Sequence, residues 1–150
     1  MALDDHIRIL SGVGLFAGFT QEQLRLLAFG AEAMSLPAGR KLYREDDDAD
    51  SAYIVVRGKV RLFRENEGAP VEVGMADPGT TLGEMALIAD TRRLTSAEAA
   101  TDTDVLRINR SMFRRILEEY PETAEALRER IIEDLQALIR RIEQVGERLG

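Results

Sequence analysis

The middle of the chain consists of short strand-like runs separated by turn residues, and this pattern constrains the fold more than any other feature. Between Ser35 and Asn109, β-branched and aromatic residues recur in short alternating runs, and glycine and proline stand between them, as at Gly58 and Pro78-Gly79. Many short strands at this spacing favour an antiparallel sandwich or barrel over βαβ units. The predicted strands are Lys41 to Arg44, Ala52 to Val56, Lys59 to Phe63, Val71 to Met75 and Asp104 to Ile108.

Helical patterns flank the strands on both sides. Thr20 is a candidate N-cap and Gly30 a candidate end for a short amphipathic helix. Ser111 is expected to cap the next helix, and Pro121 suits the first turn of a long one. The fold is therefore predicted to be α+β, with an antiparallel double-stranded β-roll, jelly-roll-like in outline. The predicted helices are Thr20 to Phe29, Met112 to Tyr120 and Glu122 to about Arg148.

The long C-terminal helix carries an apolar stripe with coiled-coil spacing. Its members are alternately four and three positions apart, and Ile132 and Ile139 widen it. A stripe of this width favours two neighbours, the β-roll and a second copy of the chain. The alternative is a helix that folds back on its own core without a partner. We expect residues 1–120 to form the β-roll with its short helices and 121–150 to form a homodimerisation and output helix. The stripe comprises Ile131, Leu135, Leu138, Ile142, Val145 and Leu149.

The composition argues against several classes of function. The chain has no cysteine and a single histidine, His6, so thiolate sites, multi-histidine metal sites and histidine-based catalytic triads cannot be assembled. A net charge of −7 opposes nucleic acid, and no apolar run is long enough to span a bilayer. The acidic run Asp46 to Asp48 lacks the glycine and glutamate of a calcium loop. We expect a cytoplasmic binding protein that is not an enzyme, needs no metal or cofactor, and binds neither membrane nor DNA directly.

One short segment holds the candidate ligand contacts. Gly83 and Glu84 precede Met85 to Ile88, which can form a single helical turn with outward N–H groups that attract a phosphate. Small Ala86 lets the backbone approach a ligand oxygen, and the guanidinium of Arg93 offers paired donors to phosphate. Glu84 would then be free to accept a sugar hydroxyl. The alternative is that Glu84 and Arg93 form only a structural ion pair.

The segment from Leu82 to Ser96 resembles the phosphate-binding cassette of the cyclic-nucleotide-binding family, which includes the catabolite activator protein and the regulatory subunit of protein kinase A. It reads LGEMALIADTRRLTS, and the family pattern is F-G-E-[LM]-A-L-[ILM]-x-x-x-P-R-x-[AST]-[ST]. Further similarities at residues 15–20, 36–39 and 50–58 extend the resemblance over most of the chain.

The resemblance implies a role for each matching position. Glu84 would bind the ribose 2′-hydroxyl, and the backbone N–H groups of Ala86 and Leu87 would hold the phosphate. Arg93 would pair with the phosphate charge, and Gly83 would let the turn form. The ligand contacts implied in this way are Gly83, Glu84, Met85, Ala86, Leu87, Arg93, Leu94 and Thr95.

The chain departs from the family pattern at several positions. Arg92 replaces a proline, and we expect it to face solvent. Glu45-Asp46-Asp47 replaces Glu-Gly-Asp, so a positive-φ glycine is missing and the loop is expected to differ. Leu94 stands where cGMP-selective relatives have a hydroxyl residue, which favours cAMP over cGMP. Leu138-Ile139 is apolar where the catabolite activator protein has polar residues that meet adenine, and only Arg140 or Arg141 could replace them.

These observations predict a sensor that binds a cyclic nucleotide, cAMP rather than cGMP, and signals through the C-terminal helix to a downstream protein partner. No helix-turn-helix segment follows that helix before Gly150, so we expect a stand-alone sensor and leave open a fragment of a longer regulator. The rival hypothesis is a nucleotide-free dimeric scaffold with the same fold.

Overall fold

The computed structural model describes residues 3–66 and 68–149 and places a strand region between two groups of helices. The helices are α1 (Leu3–Ser11), α2 (Gln21–Gly30), α3 (Arg110–Glu119) and α4 (Pro121–Leu149). The strands are β1 (Glu32–Leu36), β2 (Lys41–Tyr43), β3 (Asp48–Ala49), β4 (Ser51–Arg57), β5 (Val60–Asn66), β6 (Ala69–Ala76), β7 (Thr81–Leu82), β8 (Thr91–Arg92), β9 (Ser96–Ala99) and β10 (Thr103–Asn109). Short 3₁₀ turns span Gly14–Phe16 and Glu84–Leu87. Residues 1, 2, 67 and 150 of the predicted domain ranges lie outside the described residues.

Two four-stranded antiparallel sheets form the β-roll, so the α+β prediction is confirmed. Their strand orders are β1-β10-β4-β7 and β2-β9-β5-β6, and β3 pairs with β8. Strand β4 is buried on both faces, because Ala52 and Ile54 pack towards the helices while Tyr53 and Val55 pack between the sheets. Burial on both faces explains why this strand reads as a continuous apolar run.

The helices pack on the outer face of the first sheet through an aromatic and aliphatic core. Phe16 and Phe113 are fully buried, with ring centroids 6.3 Å apart. Leu127 and Ile131 of α4 enter the same core, and burial of such a side chain contributes about 1.5–3 kcal/mol. The first half of α4 is therefore fixed to the chain's own domain.

This packing divides the predicted coiled-coil stripe. Ile131 is fully buried in the domain core, and Leu138 faces a cavity described below. Ile132 and Ile139, beside the stripe, are 40% and 38% exposed. The stripe therefore begins against the chain's own domain, and Ile132 and Ile139 are available to a second neighbour. The side chain of Leu149, the last predicted member, lies outside the described residues.

The helix ends agree with the sequence prediction only in part. Thr20 caps α2 through a reciprocal capping box with Gln23, as its hydroxyl chemistry suggests. The prediction that Ser111 caps α3 is wrong, because Asn109 at the end of β10 has the extended backbone of an N-cap and accepts from the Ser111 N–H at 2.7 Å. Gly30 is the last residue of α2, and its lack of a side chain makes room for Met112.

Candidate functional site

A cavity of about 480 Å³ lies between the β-roll, the Glu84–Leu87 turn and α4, and its volume is typical of small-molecule sites. Leu87 is the one predicted contact whose side chain does not line it, since that side chain is 1% exposed in the helix-side core. Leu87 could therefore contribute only its backbone. The predicted contacts that line the cavity are Gly83, Glu84, Met85, Ala86, Arg93, Leu94 and Thr95.

The backbone at Gly83 begins the 3₁₀ turn. Its φ of 69° is in the left-handed region that favours glycine. The turn closes when the Ala86 N–H donates to the Gly83 carbonyl at 3.1 Å. The predicted phosphate contact of Ala86 would therefore share an N–H that the turn already uses.

Arg93 is the buried cation of the cavity wall. Its side chain is 6% exposed, and Nη2 donates to the carbonyl oxygen of Ser51 at 2.9 Å. Nε and Nη1 have no hydrogen-bond partner in the described part of the chain. Burying such donors without an acceptor is costly, so this guanidinium is suited to an anion supplied from outside the chain.

Two tyrosines hold the Arg93 guanidinium in place. The guanidinium carbon lies 4.3 Å from the ring centroid of Tyr43 and 5.6 Å from that of Tyr53. Burial raises the pKa of Tyr43 to about 12, although the Arg93 charge and a hydrogen bond with Thr95 oppose the shift. Tyr43 is therefore neutral at physiological pH and leaves the Arg93 charge uncompensated. Neither tyrosine was among the predicted contacts.

The backbone of Arg93 is held by the acidic loop before β3. Asp46 N donates to the Arg93 carbonyl and Arg93 N donates to the Asp47 carbonyl, both at 2.9 Å. Asp46 has a φ of 70°, so an aspartate adopts the left-handed conformation expected of glycine. The expectation that this loop would differ for want of a glycine is therefore wrong in its backbone conformation.

Glu84 faces α4 and does not pair with Arg93. Burial, together with the negative charge of Asp134 and a hydrogen bond with its side chain, raises the pKa of Glu84 to about 8, while Arg130 opposes the shift. The alternative of a structural Glu84–Arg93 ion pair is wrong, since no such pair forms between these two described residues.

The mouth of the cavity is partly apolar. Leu94 is 38% exposed there, and Leu138 and Ile139 of α4 line the opposite side. Arg141 also lines the cavity and lies beside Gly74 of β6, whereas Arg140 does not line it. Arg92 at the rim has a side chain 73% exposed and an Nε atom 4.0 Å from Asp48, as expected for a solvated residue.

Arg110, at the start of α3, fastens the end of the cassette to the rest of the domain. Its Nη1 donates to the carbonyls of Ala89 at 2.8 Å and Ala49 at 3.2 Å, and Nη2 lies 2.8 Å from an oxygen of Asp90. Arg110 carries no local signal in the sequence, because its partners belong to distant segments. The residue ties the cassette to the helical layer that includes α4.

Within residues 3–66 and 68–149, no cluster of three or more histidine, aspartate or glutamate side chains has the arrangement of a metal site. In the same residues, no helix combines the length and apolarity needed to cross a membrane.

Comparison with known proteins identifies the class of this fold and cavity. A sequence model of the cyclic nucleotide-binding domain matches residues 33–120. The cyclic AMP receptor protein of Thermus thermophilus is 30% identical over 119 residues, which are 79% of this chain and 55% of that protein. Lysophospholipase nte1 of Aspergillus fumigatus is 27% identical over 114 residues, which are 75% of this chain and 8% of that protein. The chain thus spans about half the length of the first relative and a small part of the second.

A solved structure of a similar protein agrees with the family model. The cyclic nucleotide-binding-like protein of Brucella abortus is 60% identical and superposes with a TM-score of 0.70, covering 77% of this chain and 99% of that one. The cassette, the β-roll and the matching family model define a nucleotide-binding type of domain. This chain belongs to the cyclic nucleotide-binding domain family.

Proposed function

We propose that this chain is a sensor of a cyclic nucleotide, with cAMP the preferred ligand, and that its work is binding without catalysis. The ligand would occupy the cavity between the cassette and α4, and α4 would transmit occupancy to a downstream protein partner. In this proposal residues 1–120 form the binding unit and residues 121–150 the output helix.

The observation that carries the proposal is the environment of Arg93. The guanidinium is buried between Tyr43 and Tyr53, and only one of its three nitrogens has a partner in the described residues. A cyclic phosphodiester supplies one negative charge and two free oxygens, which match the two remaining donors.

The rest of the cavity supports a nucleotide rather than a bare anion. With the phosphate at Arg93, the ribose would lie against Glu84, and the base would extend towards Leu94 and Leu138. Leu94 supplies no hydroxyl to a guanine edge, which supports cAMP over cGMP. The name of the Thermus relative, a cyclic AMP receptor protein, agrees with this choice.

The position of α4 supports a relay. Leu127 and Ile131 fix its first half in the core, while Asp134 and Leu138 line the cavity one and two turns further on. Ligand contacts that form in only one helix position would bias α4 towards it, and such coupling is typically about 1–3 kcal/mol.

We also propose a homodimer through the exposed face of α4. Ile132 and Ile139 lie two turns apart on that face, 40% and 38% exposed. Ile132→Glu should convert a dimer to a monomer of 16.7 kDa in light scattering, whereas Gln144→Glu, exposed on a different face of α4, should not. A wild-type chain that is monomeric at all concentrations would contradict the dimer.

The experiment that tests the sensor is thermal unfolding with and without excess cAMP or cGMP. A ligand at about 100 times its Kd stabilises by about 2.7 kcal/mol, or roughly 5–10 °C in a domain of this size. The shift with cAMP should disappear in Arg93→Ala and persist in Arg92→Ala, the exposed neighbour. No shift with either nucleotide would favour the nucleotide-free scaffold.

A further inference from the structure

A guanidinium of α4 lies at the mouth of the cavity. Arg141 lines the cavity, whereas its neighbour Arg140 does not. The Nη1 atom of Arg141 lies 3.0 Å from the position that a Cβ atom would take at Gly74 of β6. The side chain therefore extends from α4 to the second sheet, and the lack of a side chain at Gly74 makes room for it there.

The order of residues along α4 places Arg141 beyond the base. Leu138, which the proposed function places beside the base, lines the cavity one helical turn before Arg141. Position 6 is the end of a purine farthest from its ribose, so a base against Leu138 would direct this position towards Arg141. The side chain of Arg141 is exposed, so its donors are open to a bound molecule. The proposed dimer face does not cover it, because residues two apart, such as Ile139 and Arg141, point to different sides of a helix.

We infer that Arg141 is a specificity-determining residue, which donates to an acceptor at position 6 of the base and so favours guanine-type ligands. The inference rests on the proposed function and deepens it, because it names a residue that sets the choice between nucleotides. A guanidinium has only N–H donors and no acceptor. Guanine carries the acceptor O6 at position 6, whereas adenine carries an amino group there. Arg141 can therefore donate to guanine but cannot accept from the amino group of adenine.

Arg141 and Leu94 act in opposite directions on this choice. Leu94 has no hydroxyl to offer a guanine edge and so favours cAMP, whereas Arg141 favours an acceptor at position 6. The preference for cAMP is therefore smaller than Leu94 alone would give, and removal of Arg141 should enlarge it. Because Arg141 is exposed, water competes for its donors, and its effect should fall at the lower end of the range for pairs between a side chain and a base.

The test is a set of titrations with cAMP, cGMP and cIMP, which carries the O6 of guanine without its 2-amino group. Arg141→Ala should bind cGMP and cIMP about fivefold more weakly than wild type, and cAMP within about twofold. Arg141→Gln should bind cAMP at least as tightly as wild type, because an amide offers an acceptor as well as donors. Arg140→Ala is the control: it removes the same charge outside the cavity, so it should keep the wild-type ratio of cAMP to cGMP affinity.

The outcomes separate this inference from the function on which it rests. If wild type binds cAMP and Arg141→Ala keeps the wild-type ratio of cAMP to cGMP affinity, the inference is wrong and the sensor stands. An equal loss for all three nucleotides keeps that ratio and would show that only the charge of Arg141 matters. A loss for cGMP without a loss for cIMP would also overturn the inference, because the contact would then be with the 2-amino group. If wild type binds none of the nucleotides, both the inference and the sensor are wrong.

Discussion

Gly83 lies against Arg93 so closely that a Cβ atom at position 83 would overlap Nη1 of the guanidinium. The same glycine has a left-handed φ of 69°, and the Ser51 carbonyl that accepts from Arg93 also lies beside it. The backbone of the cassette and the buried cation are therefore fitted to one another.

Gly83→Ala should lose both stability and ligand affinity. The left-handed backbone costs a side chain about 1–2 kcal/mol, and the overlap displaces the Arg93 guanidinium. Gly39→Ala is the matched control, because Gly39 has a φ of 90° with open space around its Cβ position and does not line the cavity. Urea unfolding should show a lower free energy of unfolding in both variants. A titration should show weaker cAMP binding only in Gly83→Ala. Equal affinity in the two variants would contradict the close fit.

Tyr43→Ala should weaken ligand binding, because it removes the ring on which the Arg93 guanidinium lies. Cation–π contacts contribute about 0.5–2 kcal/mol, which corresponds to a loss of about 2- to 30-fold in affinity. Tyr43→Phe keeps the ring and should bind within about twofold of wild type. If Tyr43→Phe is as weak as Tyr43→Ala, the hydroxyl and its contact with Thr95 carry the effect instead of the ring.

Neighbouring isoleucines of α4 should differ sharply in their contribution to stability. Ile131 is fully buried in the domain core, so Ile131→Ala should reduce the free energy of unfolding by about 2–5 kcal/mol. Ile132 is 40% exposed, and Ile132→Ala should change the free energy of unfolding by no more than about 0.5 kcal/mol. Urea unfolding at low protein concentration measures both. Similar losses would mean that α4 packs in another register.

The raised pKa of Glu84 predicts a stability that falls with pH. Its folded pKa of about 8 lies above its ordinary value of 4.5, so the folded protein binds the proton more tightly than the unfolded chain does. The contribution of Glu84 to stability is complete below pH 4.5 and is lost as the pH rises through about 8. Urea unfolding of wild type and Glu84→Gln at each pH measures this contribution. The free energy of unfolding of wild type minus that of Glu84→Gln should decrease from pH 5 to pH 8. A difference that grows with pH would contradict the shift.

The sequence alone could predict those parts of the candidate site that lie within one continuous segment. The cassette from Gly83 to Thr95 follows a spaced pattern, and the glycine and the arginine lie where that pattern implies. Tyr43 and Asp134 could not be found in this way, because they reach the cavity from β2 and α4 through long-range packing. An ordinary tyrosine in a strand and an ordinary aspartate in a helix carry no local signal.

The secondary structure also divides into elements with a local sequence pattern, which could be predicted, and elements formed by long-range pairing, which could not. The long strands, such as β4 and β10, have enough residues to show a pattern and were predicted within a few residues. Two-residue strands such as β3, β7 and β8 exist only through their pairing partners. Helix α1 is followed by Gly12, but no N-cap residue comparable to Thr20 precedes it in the sequence. The Ser111 prediction failed because Asn109, one residue before α3, is also a strong N-cap residue.

Isothermal titration calorimetry with cAMP tests the central claim, that the buried Arg93 guanidinium holds a nucleotide phosphate. The wild-type chain should bind one nucleotide, Arg92→Gln should bind with similar affinity, and Arg93→Gln should be weaker by about 10- to 150-fold, the effect of losing hydrogen bonds to a charged group. Wild-type affinity in Arg93→Gln, or no binding by the wild type, would contradict the account.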